Sequence, residues 1–349
     1  MKRKRVVRRV LLVLLIAVLV FVISSVAFSA VFFQVMFARR DSLAENVCIS
    51  YRLIDSQRYR RRAVSFLSGE NRLSGFFYGE DNHGGLVIIA PGISSDADAH
   101  LPEIMRFADS GFTVLAYDAT GTCQSEGDSR VGLQQSKRDL SAAIDYARQE
   151  KGDTPLFLYG HSLGGYAAAA VLEDAEADAV IALSGFDSPV GTMHGKAKEY
   201  VGVLADIEYP FLWLQNYFVF GDDADSRALD GVNTGDTPVM IVHGSEDKVI
   251  PYDLSLYAHA EKADNPRVFR TLIDDRWRNG HSYQWLSADA ARYVAQLQDE
   301  LNDLREACGG ELPEEVLDDF YSHVDAARAT QTDAAFMDAV CGFFERSVH

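Results

Sequence analysis

Basic side chains are scarce over most of this sequence. The 349 residues carry 33 Lys and Arg against 51 Asp and Glu, a formal net charge of −18. Eight of the basic residues and none of the acidic ones lie within residues 1–40, so the rest of the chain has 25 basic and 51 acidic residues, a net charge of −26. Because a surface of that charge repels phosphate backbones, the composition argues against a nucleic-acid enzyme.

Cysteine is also sparse, and its spacing excludes the common structural metal sites. No CxxC pair and no cluster with metal-ligand spacing occurs among Cys48, Cys123, Cys308 and Cys341. If the body lies outside the cytoplasm, disulfides are permitted, and Cys308 with Cys341 is the favoured pair because the two flank a terminal helical segment. Buried free thiols are the alternative.

One long uncharged run dominates the N-terminal region. Residues 10–37 contain no charge and only four polar residues, Ser24, Ser25, Ser29 and Gln34. About 20 apolar residues cross a bilayer, so this run is long enough to span one. A buried core helix is not normally so long or apolar on every face. A cleaved signal peptide has a shorter apolar region of about 7–15 residues and small residues before its cleavage site. The run therefore favours an uncleaved signal anchor.

The flanking charges predict the orientation of this anchor. Six Lys and Arg precede it, against Arg39, Arg40 and Arg52 soon after it. The positive-inside rule then puts the N-terminus in the cytoplasm, and the body outside it, at the cell membrane. The predicted boundaries are a basic tail at 1–9, the anchor at 10–37, a juxtamembrane linker at 38–62 and a catalytic domain at 63–349.

Short strand-like runs alternate with helical patterns through the body. The predicted helices lie near 98–110, 135–149, 163–173 and 253–262. The predicted strands are Ala63–Leu67, Leu73–Tyr78, Leu86–Ala90, Phe112–Tyr117, Pro155–Tyr159, Ala179–Leu183, Val239–Val242 and Val268–Ile273. The first two have no helix between them and read as an antiparallel hairpin, whereas runs such as Leu86–Ala90 are apolar throughout, as in strands buried on both faces. The pattern predicts an α/β fold with a mostly parallel eight-stranded sheet flanked by helices.

Two stretches interrupt this alternation. Residues 185–236, after the sixth strand, are rich in large apolar side chains, and residues 287–349 form a helical extension with a break at Gly309-Gly310.

The strongest chemical signal is the segment Gly160-His-Ser162-Leu-Gly164-Gly. It lies between a predicted buried strand and an Ala-rich helix, which is the context that gives G-x-S-x-G its meaning as a nucleophile elbow. The sharp turn strains the central residue and needs small neighbours at Gly160 and Gly164. The pattern predicts that Ser162 is a nucleophile at a helix N-terminus.

A serine nucleophile needs a base oriented by an acid. Asp247 follows the seventh strand and is the predicted acid, with Glu246 as the alternative, and His281 follows the last strand in a Gly-containing loop. The order Ser162, Asp247, His281 matches the Ser…Asp…His order of α/β hydrolases. The backbone N–H groups of Leu163 and Ile93 are the predicted oxyanion donors.

The chain resembles the α/β-hydrolase superfamily, and within it the serine aminopeptidase/monoacylglycerol lipase-like branch. The resemblance covers about residues 63–285 and depends on Pro91-Gly92-Ile93, on the segment from Tyr117 to Gly127, on the elbow and on Asp247 with His281. It implies the α/β-hydrolase fold, a Ser–His–Asp hydrolase and a lid at 185–236. Pro91 stands where the family often has His, and Thr120 and Cys123 replace the Arg and a Gly of its second motif.

The expected reaction is acyl transfer to water, with no metal or organic cofactor. The expected substrate is a small-molecule or lipid-like carboxylic ester, because the anchor places the site beside membrane lipids. A serine peptidase or aminopeptidase of the same fold is the first alternative, and a catalytically silent, membrane-tethered binding module is the second. The lid aromatics Trp213 and Phe218 are predicted to shape an apolar acyl pocket.

Overall fold

An eight-stranded sheet forms the centre of the body. The computed structural model describes residues 2–41, 48–93 and 95–348. The sheet order is β1-β2-β4-β3-β5-β6-β7-β8. The strands are β1 (Arg61–Ser68), β2 (Asn71–Tyr78), β3 (Leu86–Ala90), β4 (Thr113–Tyr117), β5 (Leu156–His161), β6 (Ala179–Leu183), β7 (Val239–Gly244) and β8 (Val268–Ile273). Each lies within two residues of its predicted bounds.

The pairing confirms the predicted mixed sheet. β1 pairs antiparallel with β2, and β2 pairs antiparallel with β4, while every other pair is parallel. All residues of β3, β5 and β6 are buried, as their continuous apolar sequences require. Because the central strands run parallel, the loops after β3, β5, β7 and β8 meet at one edge of the sheet.

Helices cover both faces of the sheet. α3 and α4 pack on one face, and α2, α9 and α12 pack on the other, where Phe344 stacks on Phe157 with ring centroids 4.6 Å apart. The helices are α1 (Lys2–Met36), α2 (Leu101–Asp109), α3 (Gln135–Lys151), α4 (Leu163–Ala170), α5 (Pro189–Val201), α6 (Leu204–Phe220), α7 (Ala228–Asn233), α8 (Leu256–His259), α9 (Ala288–Ala307), α10 (Glu314–Ser322), α11 (Ala326–Ala329) and α12 (Ala334–Ser347).

Local sequence sets several of these helix ends. The hydroxyls of Ser188 and Ser287 accept the N–H groups of Gly191 and Ala290 at the starts of α5 and α9. After α9, Gly309 and Gly310 both have positive φ, so the helix ends at the predicted break.

α1 is long and apolar enough to cross a membrane, and its C-terminal part contacts the body. Phe33 and Phe37 are buried. The ring of Phe21 meets that of Phe211 on α6 edge to face, with centroids 5.8 Å apart. After the helix, residues 38–40 form bridges with the loop between β4 and α3. Part of the predicted linker, residues 42–47, lies outside the described residues.

Cys308 and Cys341 do not form the favoured disulfide. Cys308 is exposed at the end of α9, whereas Cys341 lies on the buried face of α12, where its thiol donates to Ser110 Oγ at 3.4 Å. The two residues flank the terminal helices in sequence, but these helices hold the thiols in different environments.

Candidate active site

The turn between β5 and α4 has the strained geometry of a nucleophile elbow. Ser162 has φ 58° and ψ −116°, a conformation that L-residues rarely adopt. A Cβ on Gly160 would lie 2.1 Å from the carbonyl oxygen of Gly164, and one on Gly164 would lie 2.0 Å from that of Ala90. Only glycine fits at these two positions, because backbone atoms fill the space that any side chain would need.

Ser162, His281 and Asp247 form one hydrogen-bonded chain. His281 Nε2 lies 2.9 Å from Ser162 Oγ, and His281 Nδ1 lies 2.8 Å from Asp247 Oδ2. Since a carboxylate only accepts, Nδ1 carries the ring proton and Nε2 is free to accept the serine proton. The structure thus brings together the three residues predicted from the loops after β5, β7 and β8.

The environment of Asp247 favours its ionised form. Its Oδ1 accepts the N–H groups of Val249 and Ile250, each at 2.9 Å. Burial alone would raise the pKa of Asp247, but the hydrogen bond and charge of His281 and the N–H of Ile250 outweigh it and hold the pKa below its usual value. Glu246, the alternative acid, is exposed.

Two buried side chains hold the backbone of the His281 loop. His161 Nε2 donates to the carbonyl oxygen of His281 at 2.7 Å, and burial lowers the pKa of His161 to about 3, so its ring is neutral. Gln284 Nε2 donates to Gly280 O at 2.9 Å and to Ser184 Oγ at 2.7 Å. Sequence reasoning assigned no role to either His161 or Gln284.

The two predicted oxyanion donors lie on either side of Ser162. Leu163 is the first residue of α4, where N–H groups have no partner within the helix. Ile93 follows Gly92, whose Cβ position would lie 3.8 Å from Ser162 Cβ. The carbonyl of Ile93 accepts Arg130 Nη1 at 3.0 Å. Ser94, the next residue in this loop, lies outside the described residues.

A cavity of about 340 Å³ opens beside Ser162 and His281. Part of its wall is the loop after β3 that carries Gly92 and Ile93, here called the oxyanion loop. The rest includes Cys48, Ile49, Ser282, Tyr283, Trp285 and Leu286, with Val294 and Gln298 on α9. No Lys, Arg, Asp or Glu is among the described residues that line it. The helical extension, for which the sequence indicated no role, therefore forms one wall.

Trp213 and Phe218, which were predicted to shape an acyl pocket, do not line this cavity. Phe218 is 74% exposed. Trp213 stacks on Tyr217 and donates through Nε1 to Asp225 Oδ1 at 2.9 Å. α6 is apolar on two faces, one packed on the core and one exposed, and periodicity could not show that neither face lines the cavity.

The sequence also gave no signal for a buried polar pair at the cavity wall. His100 lies there, and its Nδ1 is 3.1 Å from Glu103 Oε1. His100 Nε2 is buried without a hydrogen-bond partner among the described residues. As for metals, no group of three or more His, Cys, Asp or Glu side chains in the described ranges has the arrangement of a binding site.

Comparison with known proteins agrees with this fold. Residues 81–207 match the family described as serine aminopeptidase, S33. An esterase of Pyrococcus furiosus superposes with a TM-score of 0.51 at 19% identity, covering 71% of this chain and 91% of that one. The chain has the α/β-hydrolase fold, and the family match together with the curated relatives supports its place in that superfamily.

Two curated relatives show what kinds of protein this chain is similar to. Lysophosphatidylserine lipase ABHD12 of Danio rerio is 25% identical over 183 residues, which are 50% of this chain and 44% of that relative. The polyketide transferase grgF of a Penicillium species is 27% identical over 233 residues, 64% of this chain and 71% of that relative. The match to the lipase thus spans less than half of the lipase's length.

Proposed function

We propose that this chain is a membrane-anchored serine hydrolase that cleaves carboxylic esters through an acyl-enzyme on Ser162. The observation that carries the proposal is the hydrogen-bonded chain from Asp247 through His281 to Ser162, which opens on an apolar cavity. The names of the esterase and lipase relatives agree with this reaction class.

The reaction would proceed in two halves. Ser162 Oγ attacks the ester carbonyl while His281 Nε2 takes its proton, and Asp247 stabilises the resulting imidazolium. The N–H groups of Leu163 and Ile93 hold the oxyanion. His281 then gives the proton to the departing alcohol. Water, deprotonated by His281, attacks the acyl-enzyme and releases the acid.

The cavity lining favours an ester with an uncharged group next to the reacting carbonyl. An aminopeptidase needs a carboxylate to hold the substrate's α-ammonium group, and a phosphate headgroup calls for Arg or Lys. Neither kind of side chain is among the described lining residues. A headgroup like that of the substrate in the lipase relative's name would therefore lie outside the cavity.

The outer face of α6 supports a position at the membrane. Leu204, Ile207, Phe211, Leu214 and Phe218 form one apolar stripe, and the first two and the last are exposed. Phe211 in this stripe contacts Phe21 of α1, which lies within the uncharged run. Since large exposed apolar patches mark interaction sites, lipid beside the anchor is the environment that suits this face. A lipid-like ester would reach the enzyme from there.

A fluorophosphonate probe and a substrate panel test the proposal. The full chain in lipid nanodiscs should be labelled and should hydrolyse p-nitrophenyl esters faster than aminoacyl-amides. Ser162→Ala should abolish both labelling and hydrolysis, because no acyl-enzyme can form. Ser245→Ala, at an exposed serine, is the matched control and should change neither. Unchanged labelling of Ser162→Ala would reject the mechanism, and cleavage of amides alone would favour the peptidase.

A further inference from the structure

One guanidinium connects the end of the membrane helix with the loop beside Ser162. Arg130 donates from Nη2 to the carbonyl of Met36 at 2.6 Å and from Nε to that of Ala38 at 3.0 Å. Its Nη1 donates to the carbonyl of Ile93 at 3.0 Å. All three nitrogens of the guanidinium thus donate, two of them to the end of α1 and one to the oxyanion loop.

The chemistry of both partners favours a cation at this place. The last carbonyls of a helix have no partner within the helix, and its dipole makes this end negative. Arginine suits the place because its donors form a rigid fork, so that moving one acceptor moves the others. Burial and the nearby charge of Arg40 lower the pKa of Arg130 to about 10, which leaves it charged at neutral pH.

The end of α1 is also fixed to the segment that carries Arg130. The backbone N–H of Arg130 donates to Phe37 O at 2.7 Å, and the N–H of Arg40 donates to Gly121 O at 3.0 Å. A Cβ on Gly132 would lie 2.6 Å from the ring of Phe220 and 3.7 Å from that of Phe33. Because these contacts leave little freedom between helix end and loop, a shift of the helix reaches the guanidinium directly.

We propose that Arg130 is a positioning residue. It holds Ile93 of the oxyanion loop at a fixed position relative to the C-terminal end of the membrane helix α1. The inference rests on the proposed function, since it needs Ile93 as an oxyanion donor. Oxyanion donors act only when they lie at hydrogen-bond distance from the place where charge develops, so a loop released by a fraction of an ångström loses transition-state stabilisation. Most of the cavity wall lies outside this loop, so substrate binding depends less on the position of Ile93 than transition-state stabilisation does.

Steady-state kinetics of the full chain in nanodiscs test the role of Arg130. Arg130→Ala should lower kcat by about ten- to a hundredfold with KM within about twofold, less than the roughly 10²–10³ that follows loss of a whole donor. The affinity for an alkylboronic acid, which mimics the tetrahedral state, should fall by the same factor. Arg130→Lys should be intermediate because an ammonium cannot span all three carbonyls. Millimolar guanidinium should partly restore Arg130→Ala.

Arg39 is the matched control. It donates to the carbonyls of Ser125, Gly127 and Cys123. Arg39 therefore connects the chain just after α1 to the loop between β4 and α3, which also carries Arg130, but it does not contact Ile93. Arg39→Ala should lower thermal stability and leave kcat unchanged. The end point of fluorophosphonate labelling counts folded active sites in every variant, so misfolding is separated from slow catalysis.

A double-mutant cycle tests the membrane-helix end of the link. Phe37→Ala loosens the buried end of α1 and should also lower kcat, and the double variant with Arg130→Ala should be no slower than Arg130→Ala alone. If the losses of kcat in Phe37→Ala and Arg130→Ala were additive in the double variant, the end of α1 would not act through Arg130. A wild-type kcat for Arg130→Ala, or an equal loss in Arg39→Ala, would overturn it. If Ser162→Ala were as active as the wild type, the proposed function itself would fail.

Discussion

Asp247 and Glu246 are neighbours in sequence that lie in opposite environments. Asp247 is buried and uses both carboxylate oxygens, one for His281 and one for two backbone N–H groups. Glu246 is exposed, and its backbone N–H donates to Asn279 O at 2.8 Å. The two acids are chemically similar, so the backbone of the turn decides which of them reaches His281: the Asp247 side chain lies in the interior and that of Glu246 lies at the surface.

Asp247→Asn should leave the chain folded and lower kcat by a factor on the order of ten thousand. The amide would donate to His281 Nδ1 and so favour the tautomer whose Nε2 cannot accept the serine proton. Ester hydrolysis measured beside circular dichroism checks both parts. Glu246→Gln is the control and should keep wild-type activity. A dead Glu246→Gln with an active Asp247→Asn would reverse the assignment.

His161 should make the protein less stable in mild acid. Its folded-state pKa of about 3 lies below the value of about 6.5 in an unfolded chain. As the pH falls below about 6.5, the unfolded chain takes up a proton that the folded chain refuses. The stabilising contribution is therefore complete above that pH and is lost progressively down to about pH 3.

At pH 5 this loss amounts to about 2 kcal/mol, because pH 5 lies about 1.5 units below the unfolded pKa and each unit is worth about 1.4 kcal/mol. Urea unfolding of the full chain in detergent, compared at pH 7.5 and pH 5, measures it. His161→Gln keeps a donor for the carbonyl of His281 but cannot titrate. Between pH 7.5 and pH 5, its free energy of unfolding should therefore fall by about 2 kcal/mol less than that of the wild type. Equal pH dependence in the two proteins would contradict this assignment.

The nucleophile elbow depends on its glycines. Gly164→Ala should prevent correct formation of the turn, because its Cβ would lie 2.0 Å from the carbonyl oxygen of Ala90, with no flexible side chain to yield. The variant should show no fluorophosphonate labelling and a lower melting temperature. Gly235→Ala, where no atom lies within 4 Å of the added Cβ, should behave as wild type. Normal labelling of Gly164→Ala would show that the elbow can relax.

α9 rather than α6 should set the acyl-chain preference. Val294→Phe fills the cavity wall, so hydrolysis of long-chain p-nitrophenyl esters should fall by about tenfold or more, while the acetyl ester changes little. Phe218→Ala, on the exposed face of α6, should leave the chain-length profile unchanged. Equal losses for short and long esters in Val294→Phe, or a shifted profile in Phe218→Ala, would contradict this role for α9.

The strands and the triad were predictable because each has a local signature. Leu86–Ala90 is apolar throughout, and Ser162 lies in a motif whose glycines are set by backbone contact. The cavity wall was not predictable, since Val294 meets Ile49 and Trp285 only after distant segments pack together. Nor could a periodic apolar pattern tell the inner face of α6 from its outer face, so Phe218 was assigned to the site.

The charge distribution of the whole chain predicts a single orientation in the membrane. Six basic residues precede the uncharged run, and the body after residue 40 has a net charge of −26. A reporter that is active only outside the cytoplasm should work when fused to the C-terminus, because the positive-inside rule keeps the basic tail inside. Activity of a cytoplasm-only reporter at the same place would refute this topology. Moving the six basic residues to the other flank is the control and should invert the result.

The stacking of Phe344 on Phe157 has a consequence for biogenesis. β5 leads directly into Ser162, the proposed nucleophile, and one face of this strand is covered by α12, near the C-terminal end of the described chain. Synthesis delivers α1 before α12, so a nascent chain that already holds Ser162 still lacks the helices α9 and α12 that cover one face of the sheet. If the proposed function holds, activity should therefore appear only after the helical extension has been translated, which would leave time for the proposed anchor to enter the membrane first.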